Sequence, residues 1–204
     1  MIAGPNGAGK TTLTRWLRES GVEFSEYVNP DDIARELEGP YGTRVAQAQI
    51  IADQRRDACI EGKRSFSFET VMSHPSKVEI LARARVAGFF VRLFFVGTDD
   101  PRTNIERVAL RVAEGGHDVP EDRITARWHR TMQFLHQAIE ASDEAFVFDN
   151  SVTRPFAGGP RLVFRRSYST ARRDLEIQQF APVPSWVRRY VLDPLQIDLE
   201  RGHE

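Results

Sequence analysis

The chain of 204 residues contains a single cysteine, Cys59. One thiol excludes internal disulfides and cysteine-rich zinc sites, and it is typical of a protein from a reducing compartment. No apolar run approaches the roughly 18 residues that a membrane-spanning helix needs, and the first residues lack the pattern of a signal peptide. We therefore expect a cytoplasmic protein in which Cys59 is structural and half-buried on a helix surface.

The sequence also lacks an excess of charge of either sign. Its 28 lysines and arginines balance 29 aspartates and glutamates, and the net charge is −1. Such a balance provides no general attraction to nucleic acid or to a membrane surface. The segment after Ser151 holds nine arginines against six acidic residues, which we interpret as solvated surface rather than a nucleic-acid patch. With 41% hydrophobic residues, the chain can bury one core.

The most informative stretch is GPNGAGKTT, at residues 4–12. It fits the pattern G-x-x-x-x-G-K-[ST], in which the backbone N–H groups of a glycine-rich loop surround a phosphate chain. In this pattern Lys10 contacts the β- and γ-phosphates and the Thr11 hydroxyl binds Mg²⁺. The helix that begins here adds its N-terminal dipole to the same anion. The predicted nucleoside triphosphate site consists of Gly4, Asn6, Gly7, Ala8, Gly9, Lys10, Thr11 and Thr12.

Apolar runs alternate with helical patterns, which favours an α/β fold with a parallel sheet. Only three residues precede Gly4, whereas a strand usually has about five or six, so we expect the natural chain to start before Met1. Strands are predicted at 27–28, 65–69, 89–97, 144–150 and 161–166, the last at a sheet edge. Helices are predicted at 10–20, 30–38, 43–62, 75–87, 101–114, 122–142 and within 183–195, and a loop at 153–160.

Several carboxylates follow predicted strands, where open α/β sheets bind their ligands. Asp31 and Asp32 follow a short strand, although acidic residues at a helix start also complement the helix dipole. Glu69 ends an otherwise apolar strand, where a carboxylate has little structural reason to be. A Walker B metal aspartate is not assigned uniquely, because apolar runs also precede Asp99, Asp100 and Asp149.

Arginines recur on two neighbouring predicted helices. Arg107 and Arg111 are four residues apart and share a face of the first helix. A glycine-hinged loop that carries His117 follows, and such a pair of helices has the form of a lid, over about residues 102–130, that closes on a triphosphate. The alternative is a pair of solvated amphipathic helices. The second helix carries Arg123, Arg127 and Arg130 on one face.

The segments GPNGAGKTT, NPDDIA, FSFETV, IERVALRVAEGGHDVP and FDNS occur in this order. Together they resemble the zeta-toxin family of bacterial P-loop kinases over residues 1–151. The resemblance implies a P-loop three-layer α/β sandwich with a mainly parallel sheet and a helical lid, which binds ATP and Mg²⁺. Residues 152–204 are not covered, and we expect them to add an edge strand and a short helix packed on the same domain.

Family members of known activity are nucleotide-sugar kinases, which phosphorylate the 3′-hydroxyl of the amino sugar in UDP-N-acetylglucosamine. By motif, the resemblance implies that Asp31 is the general base on the sugar hydroxyl. It places Glu69 and Thr70 near the substrate, with Glu69 also near the metal. Lys10 would act with Asp31 and the lid in catalysis.

The resemblance also assigns the lid. Arg107 matches the first lid arginine, which contacts the γ-phosphate in the family. The sequence departs from the family at the second lid arginine, where it has His117, so Arg111 or Arg127 would take that role beside a weaker His117. The resemblance further implies an antitoxin partner, which would have to block the ATP site.

The sequence is compatible with three functions. We predict a phosphotransferase with an alcohol group as acceptor, acting on UDP-N-acetylglucosamine or a related nucleotide sugar. An ATPase or nucleotide switch acting on a partner would instead need water beside Asp31, and no LSGGQ-type signature of a transport ATPase is present. A polynucleotide-kinase-like enzyme is disfavoured by the near-neutral charge.

Overall fold

The structure of the protein is a computed structural model that describes residues 1–152, 159–169 and 174–197. The predicted loop at 153–160 lies mostly outside these residues. The strands are β1 (Ile2–Ala3), β2 (Glu26–Val28), β3 (Phe66–Thr70), β4 (Arg92–Gly97), β5 (Glu144–Asp149), β6 (Arg161–Ser169) and β7 (Asp174–Gln179).

Most of the helices begin and end close to the predicted limits. They are α1 (Lys10–Glu19), α2 (Pro30–Glu36), α3 (Tyr41–Glu61), α4 (Ser76–Val86), α5 (Pro101–Ala113), α6 (Glu121–Gln133), α7 (Leu135–Glu140) and α8 (Ser185–Val187), which continues into a π-helix (Arg188–Leu192). Among the described residues, none of these helices combines the length and the apolar character that crossing a membrane requires.

The seven strands found among the described residues form one sheet in the order β2-β3-β1-β4-β5-β6-β7. The strands β1 to β5 are parallel to one another. The strands β6 and β7 extend the sheet antiparallel beyond β5. Because parallel strands end at the same edge, the residues that follow β1 to β5 meet along one rim of the sheet. The predicted α/β fold with a mainly parallel sheet is confirmed.

The apolar run of β4 explains how the sheet sits between two layers of helices. Leu93 and Phe95 pack into the larger core, with residues from α3, α4, α6 and α7. Phe94 and Val96 point to the other face, where they pack with Leu13 of α1. A strand that is buried on both faces has no polar side to alternate with, and this is why the run is almost unbroken.

Two predictions about the second half of the chain are wrong. The segment at 161–166 was expected at a sheet edge, but β6 is longer and pairs on both sides, with β5 and β7. The helix predicted over 122–142 is two helices joined at Phe134, where ψ is −7°. That value departs from the helical value of about −42°, so the regular helix is interrupted there, and α7 packs its own buried residues onto the core.

Cys59 is also more buried than predicted. It lies on α3 with none of its surface exposed, whereas its charged sequence neighbours indicated a helix surface. Burial raises the pKa of its thiol. A buried thiol of raised pKa has a structural role rather than a nucleophilic one.

Candidate functional site

The loop between β1 and α1 has a shape that requires glycine. Gly7 and Gly9 have φ values of 73° and 98°, in the left-handed region. A Cβ atom on Gly7 would lie 2.5 Å from the Asn104 carbonyl oxygen, and one on Gly9 would lie 2.5 Å from Asn150 Nδ2. The loop is therefore packed directly against α5 and against the residue that follows β5.

Two asparagine side chains hold the carbonyl groups of this loop. Asn104 Nδ2 donates to the carbonyl oxygen of Asn6, and Asn150 Nδ2 donates to that of Ala8 at 2.8 Å. The C=O and N–H of a trans peptide unit point in opposite directions. Anchoring these two carbonyls therefore turns the N–H groups of Gly7 and Gly9 away from the asparagines, which is the orientation that a phosphate-binding nest needs.

Asn104 is itself held by a buried hydrogen-bond chain. Thr98, which follows β4, donates from Oγ1 to Asn104 Oδ1, and Trp128 Nε1 of α6 donates to Thr98 Oγ1 at 3.2 Å. All three side chains are buried. This hydrogen-bond chain connects α6 to the phosphate loop, and its two end residues, Trp128 and Asn6, are more than 100 positions apart in the sequence. None of the three residues was predicted from the sequence, because none belongs to a recognised motif.

Replacing Asn104 by Ala is expected to lower stability and nucleotide affinity together. The change removes the hydrogen-bond partner of the Thr98 hydroxyl and that of the Asn6 carbonyl. Each group left unsatisfied lowers the stability by about 1–3 kcal/mol. Thermal unfolding with and without ATP would measure both effects. Leu110→Ala on the exposed side of α5 is the matched control, and equal behaviour of the two variants would contradict a role for Asn104 in shaping the loop.

Lys10 lies at the start of α1 and points back over the loop. Its Nζ donates to the carbonyl oxygens of Gly4 and Pro5, at 3.0 and 3.1 Å. Burial lowers the pKa of Lys10, the positive charges of Arg111 and Arg127 lower it further, and negative side chains in the same cleft oppose the shift. Within the described part of the chain, the hydrogen-bond partners of the ammonium group are these two neutral carbonyl oxygens, and an anionic ligand would offer it a better partner.

Two carboxylates near the ends of the neighbouring strands β2 and β3 affect the pKa of Lys10. The charges of Glu69 and Asp31 both raise the pKa of Lys10, with Glu69 the stronger. Glu69, near the end of β3, accepts hydrogen bonds from Tyr27 at 2.9 Å and from Thr14 at 3.4 Å. Burial, followed by the charge of Glu69, raises the pKa of Tyr27, so this phenol remains a donor that fixes the carboxylate. Sequence reasoning missed both Tyr27 and Thr14.

The adjacent aspartates on α2 have different surroundings. Asn29 caps this helix, because its side chain accepts from the Asp31 backbone N–H at 3.0 Å. The Asp31 side chain is exposed and lines the same cleft as Lys10. Asp32 instead pairs with Arg35 at 2.6 Å. The structure thus brings Asp31, and not Asp32, to the phosphate loop.

Most of the predicted lid residues also line the cleft. Arg107 donates to the Asn150 carbonyl oxygen at 2.8 Å. Arg111 donates to the His117 carbonyl oxygen at 2.9 Å. Arg127 reaches Asn6 Oδ1 at 3.5 Å. These residues line the cleft together with Arg123, whereas the exposed Arg130 does not. Arg107 and Arg127 therefore contact residues in or beside the phosphate loop, whereas Arg111 and Arg123 are exposed to solvent along the cleft.

The loop between α5 and α6 also contacts α3, whose first residue lines the cleft as well. The ring of His117 lies over that of Tyr41 at the start of α3, with 4.5 Å between the ring centroids. Gly115, at the other end of the loop, has a left-handed φ of 90°, which suits a tight turn after a helix. The cleft is therefore bridged at this point by an aromatic pair, which the sequence patterns did not predict.

The structure accounts for the three aspartates that were left open as metal ligands. Asp100 caps α5, and Asp99 accepts from Ser185 at 2.8 Å. Asp149 accepts from Trp186 Nε1 at 3.0 Å and from a neighbouring serine. Each carboxylate thus has a structural partner, and two of them bind the C-terminal segment to the sheet. Thr70, also predicted near the substrate, lines the cleft and accepts from the Met72 backbone N–H at 3.1 Å.

Comparison with known proteins identifies the family to which the chain belongs. A family model described as Zeta toxin matches residues 1–155. The chain is 30% identical, over 134 residues, to an uncharacterized protein of Haemophilus influenzae, a match that covers 63% of this chain and 90% of that protein.

Two solved structures share the fold at low sequence identity. The AvrRxo1-ORF1:-ORF2 structure with ATP has a TM-score of 0.59 and 16% identity, and the match covers 80% of this chain and 57% of that one. The PezAT chromosomal toxin–antitoxin system of Streptococcus pneumoniae has a TM-score of 0.51 and 16% identity, with 76% of this chain and 70% of that one covered. Since the family model spans well over half of the sequence, the protein belongs to the zeta toxin family and is a P-loop kinase-like protein.

Proposed function

We propose that the protein is an ATP-dependent kinase that transfers the γ-phosphoryl group to a hydroxyl of UDP-N-acetylglucosamine or a related nucleotide sugar. The observation that supports this most strongly is the cleft, of about 1160 Å³, which contains both Lys10 and Asp31. A pocket for one small molecule is usually about 300–1,000 Å³. The cleft is therefore large enough for a nucleotide on the loop and an acceptor beside it.

ATP would lie with its phosphates on residues 4–12. The turned N–H groups of the loop, the α1 dipole and Lys10 all favour an anion there. The AvrRxo1 structure with ATP, which shares this fold, supports ATP as the nucleotide. Binding would return the pKa of Lys10 toward its usual value, because phosphate oxygens replace the neutral carbonyls.

The residues also fit a Mg²⁺ ion. This ion keeps several waters and is held by one or two protein oxygens plus substrate phosphates. Thr11 presents an exposed hydroxyl in the cleft, and the Glu69 carboxylate lies close enough to affect Lys10. Thr11 and Glu69 would hold the ion, which would supply positive charge to neutralise the phosphates.

In the transfer step, the acceptor hydroxyl attacks the γ-phosphorus. The Asp31 carboxylate takes the hydroxyl proton, the new O–P bond forms, the bond between the γ-phosphorus and the bridging oxygen breaks, and ADP leaves with that electron pair. Asp31 suits this role because it is exposed in the cleft and is not paired with Arg35 as Asp32 is. Glu69 and Thr70 would position the acceptor beside it.

The cleft arginines would stabilise the charge that moves during transfer. Arg111 and Arg127 donate to neutral oxygen atoms in this structure. Hydrogen bonds between arginine and phosphate are stronger than those to neutral acceptors. We therefore expect Arg107, Arg111 and Arg127 to contact the triphosphate when it binds, with His117 as a weaker neighbour. PezAT is a toxin–antitoxin system, and by analogy an antitoxin partner of this chain would cover the cleft.

A label-transfer experiment tests the proposal. Purified protein with γ-labelled ATP and Mg²⁺ is expected to label UDP-N-acetylglucosamine, or another member of a panel of nucleotide sugars, on a sugar hydroxyl. Chromatography and phosphorus NMR would locate the new phosphate ester. The Lys10→Ala variant, prepared in parallel, reports any contaminating kinase.

Two outcomes would contradict the proposal. Label released only as inorganic phosphate, at a rate that no acceptor changes, would favour an ATPase or a nucleotide switch. Label found only on the 5′ ends of oligonucleotides would favour a polynucleotide-kinase-like enzyme.

A further inference from the structure

The C-terminal segment that begins at Ser185 packs against the rim of the sheet that carries the site. The family match ends at residue 155, and the proposed chemistry uses no residue of this segment. Trp186 is 2% exposed and belongs to the larger core. Its ring lies directly against the end of β4, because a Cβ atom on Gly97 would be only 2.8 Å from Trp186 Cη2.

A hydrogen-bond network joins this segment to two strand ends. Asp149, the last residue of β5, accepts from Trp186 Nε1 at 3.0 Å and from the Ser151 hydroxyl. The same Ser151 oxygen accepts from the Asp99 backbone N–H at 2.9 Å, and the Asp99 carboxylate accepts from Ser185 at 2.8 Å. Since Ser185 and Trp186 are consecutive residues, these contacts close a ring. Satisfied polar networks of this kind make the groups that belong to them rigid.

Asn150 lies between the two β5-side members of this ring. Its side chain donates to the Ala8 carbonyl oxygen of the phosphate loop at 2.8 Å. Its own carbonyl oxygen accepts from Arg107, also at 2.8 Å. The ring holds Asp149 and Ser151, and it therefore fixes the backbone on both sides of the residue that contacts the phosphate loop and the first lid arginine.

We propose that Ser185 and Trp186 are positioning residues for the nucleotide site. They act through Asp149 and Ser151 on Asn150, and they touch neither nucleotide nor acceptor. The inference rests on the proposed function, since it takes the phosphate loop to be occupied by ATP. Residues in a binding or catalytic site must be held within about 0.5 Å of their productive positions by the packing and hydrogen bonds behind them. The C-terminal segment supplies such support from outside the family match.

Trp186→Phe tests the proposal, because it removes the indole N–H and keeps an aromatic ring in the core. The second oxygen of Asp149 lies 3.7 Å from Arg161, so without the indole the carboxylate can turn toward that cation and take Ser151 with it. Binding of a non-hydrolysable ATP analogue with Mg²⁺ to the full chain, measured by calorimetry, is expected to weaken by about 3–10-fold, as for the loss of one hydrogen bond. Wild-type affinity in this variant would overturn the proposal.

Val191→Ala is the matched control. Val191 is buried in the same core as Trp186 and belongs to the same segment, so its truncation destabilises the segment but leaves the hydrogen-bond ring intact. We expect a lower thermal unfolding midpoint in Val191→Ala together with wild-type affinity for the analogue. An equal loss of affinity in Val191→Ala and Trp186→Phe would show that the segment acts only through stability, which contradicts a positioning role.

A double-mutant cycle with Asn150→Ala determines whether the effect passes through Asn150. In the Asn150→Ala background, Trp186→Phe is expected to cause no further loss of affinity, because the residue through which it acts has been removed. The same fold loss in both backgrounds would refute this route. Should Trp186→Phe fail to fold, as judged by circular dichroism, Ser185→Ala takes its place in the cycle. Ser185 is exposed, and its variant is expected to weaken binding by about threefold.

These outcomes are separable from failure of the proposed kinase activity. Analogue binding that depends on Trp186, in a protein that transfers no label, would leave the positioning role standing and remove the kinase. Transfer to a nucleotide sugar with an unchanged KM for ATP in Trp186→Phe would leave the kinase standing and remove the positioning role.

Discussion

Replacing Asp31 by Asn is expected to slow phosphoryl transfer by roughly 10²–10⁴-fold, the usual contribution of a general base. Asparagine keeps the shape of the side chain and its place on α2, but it cannot accept the hydroxyl proton. ATP affinity should not fall, because the change removes a negative charge that faces Lys10 and therefore faces the bound triphosphate. Single-turnover transfer and equilibrium binding of ATP, measured on one preparation, would show the two effects separately.

Asp32→Asn is the matched control for this prediction. It removes the same charge one residue further along α2, from a side chain that pairs with Arg35 and does not itself line the cleft. Transfer by the Asp32 variant should stay near the wild-type rate. An active Asp31→Asn enzyme, or a comparable loss in both variants, would show that the proton goes elsewhere.

Lys10→Ala is expected to act on binding itself. It removes the cation nearest to the β- and γ-phosphates together with two hydrogen bonds, to the carbonyls of Gly4 and Pro5. Hydrogen bonds to charged groups contribute about 1.5–3 kcal/mol, which corresponds to roughly 10–100-fold in ATP affinity. The transfer rate at saturating ATP should fall as well, since Lys10 also stabilises charge that develops in the transition state.

Arg15→Ala provides the comparison for Lys10→Ala. Arg15 is exposed on the same helix and lies outside the cleft lining, so its loss changes the net charge equally without touching the loop. Titration with a fluorescent ATP analogue would give both affinities. Wild-type affinity in Lys10→Ala would contradict the placement of the phosphates on this loop.

The sequence predicted the parts of the molecule that local rules determine. The phosphate loop was recognisable because its glycines, Lys10 and Thr11 lie within nine consecutive residues. The unbroken apolar run of β4 identified a strand buried on both faces. Helix starts at Pro30 and Pro101 were predicted because proline suits the first turn of a helix, and Asn29 and Asp100 cap these helices in the structure. From the order of such elements the parallel α/β fold followed, since strands that alternate with helices have few other arrangements.

The features that were not predicted depend on contacts between segments that are distant in the sequence. Asp31 and Asp32 are equivalent in sequence, and only the packing of α2 turns one to the cleft and leaves the other beside Arg35. Asp149 follows a strand as a metal ligand would, yet its partner is Trp186, 37 residues later. The strand β6 lies inside the sheet because it pairs with β7, and this pairing of two separate segments was not predicted from the sequence.

The same distinction applies to the residues that shape the site. Asn104, which anchors the loop at Asn6, and Trp186, which donates to Asp149, are ordinary helix residues by sequence. Their roles arise from burial against partners elsewhere in the chain, and burial makes an unmet hydrogen bond or charge costly. The sequence alone predicted a phosphate-binding loop at residues 4–12 of an α/β protein, because a phosphate loop is a local structure. Only the tertiary structure decided which side chains face that loop, because the folding of five strand ends onto one rim brings them together.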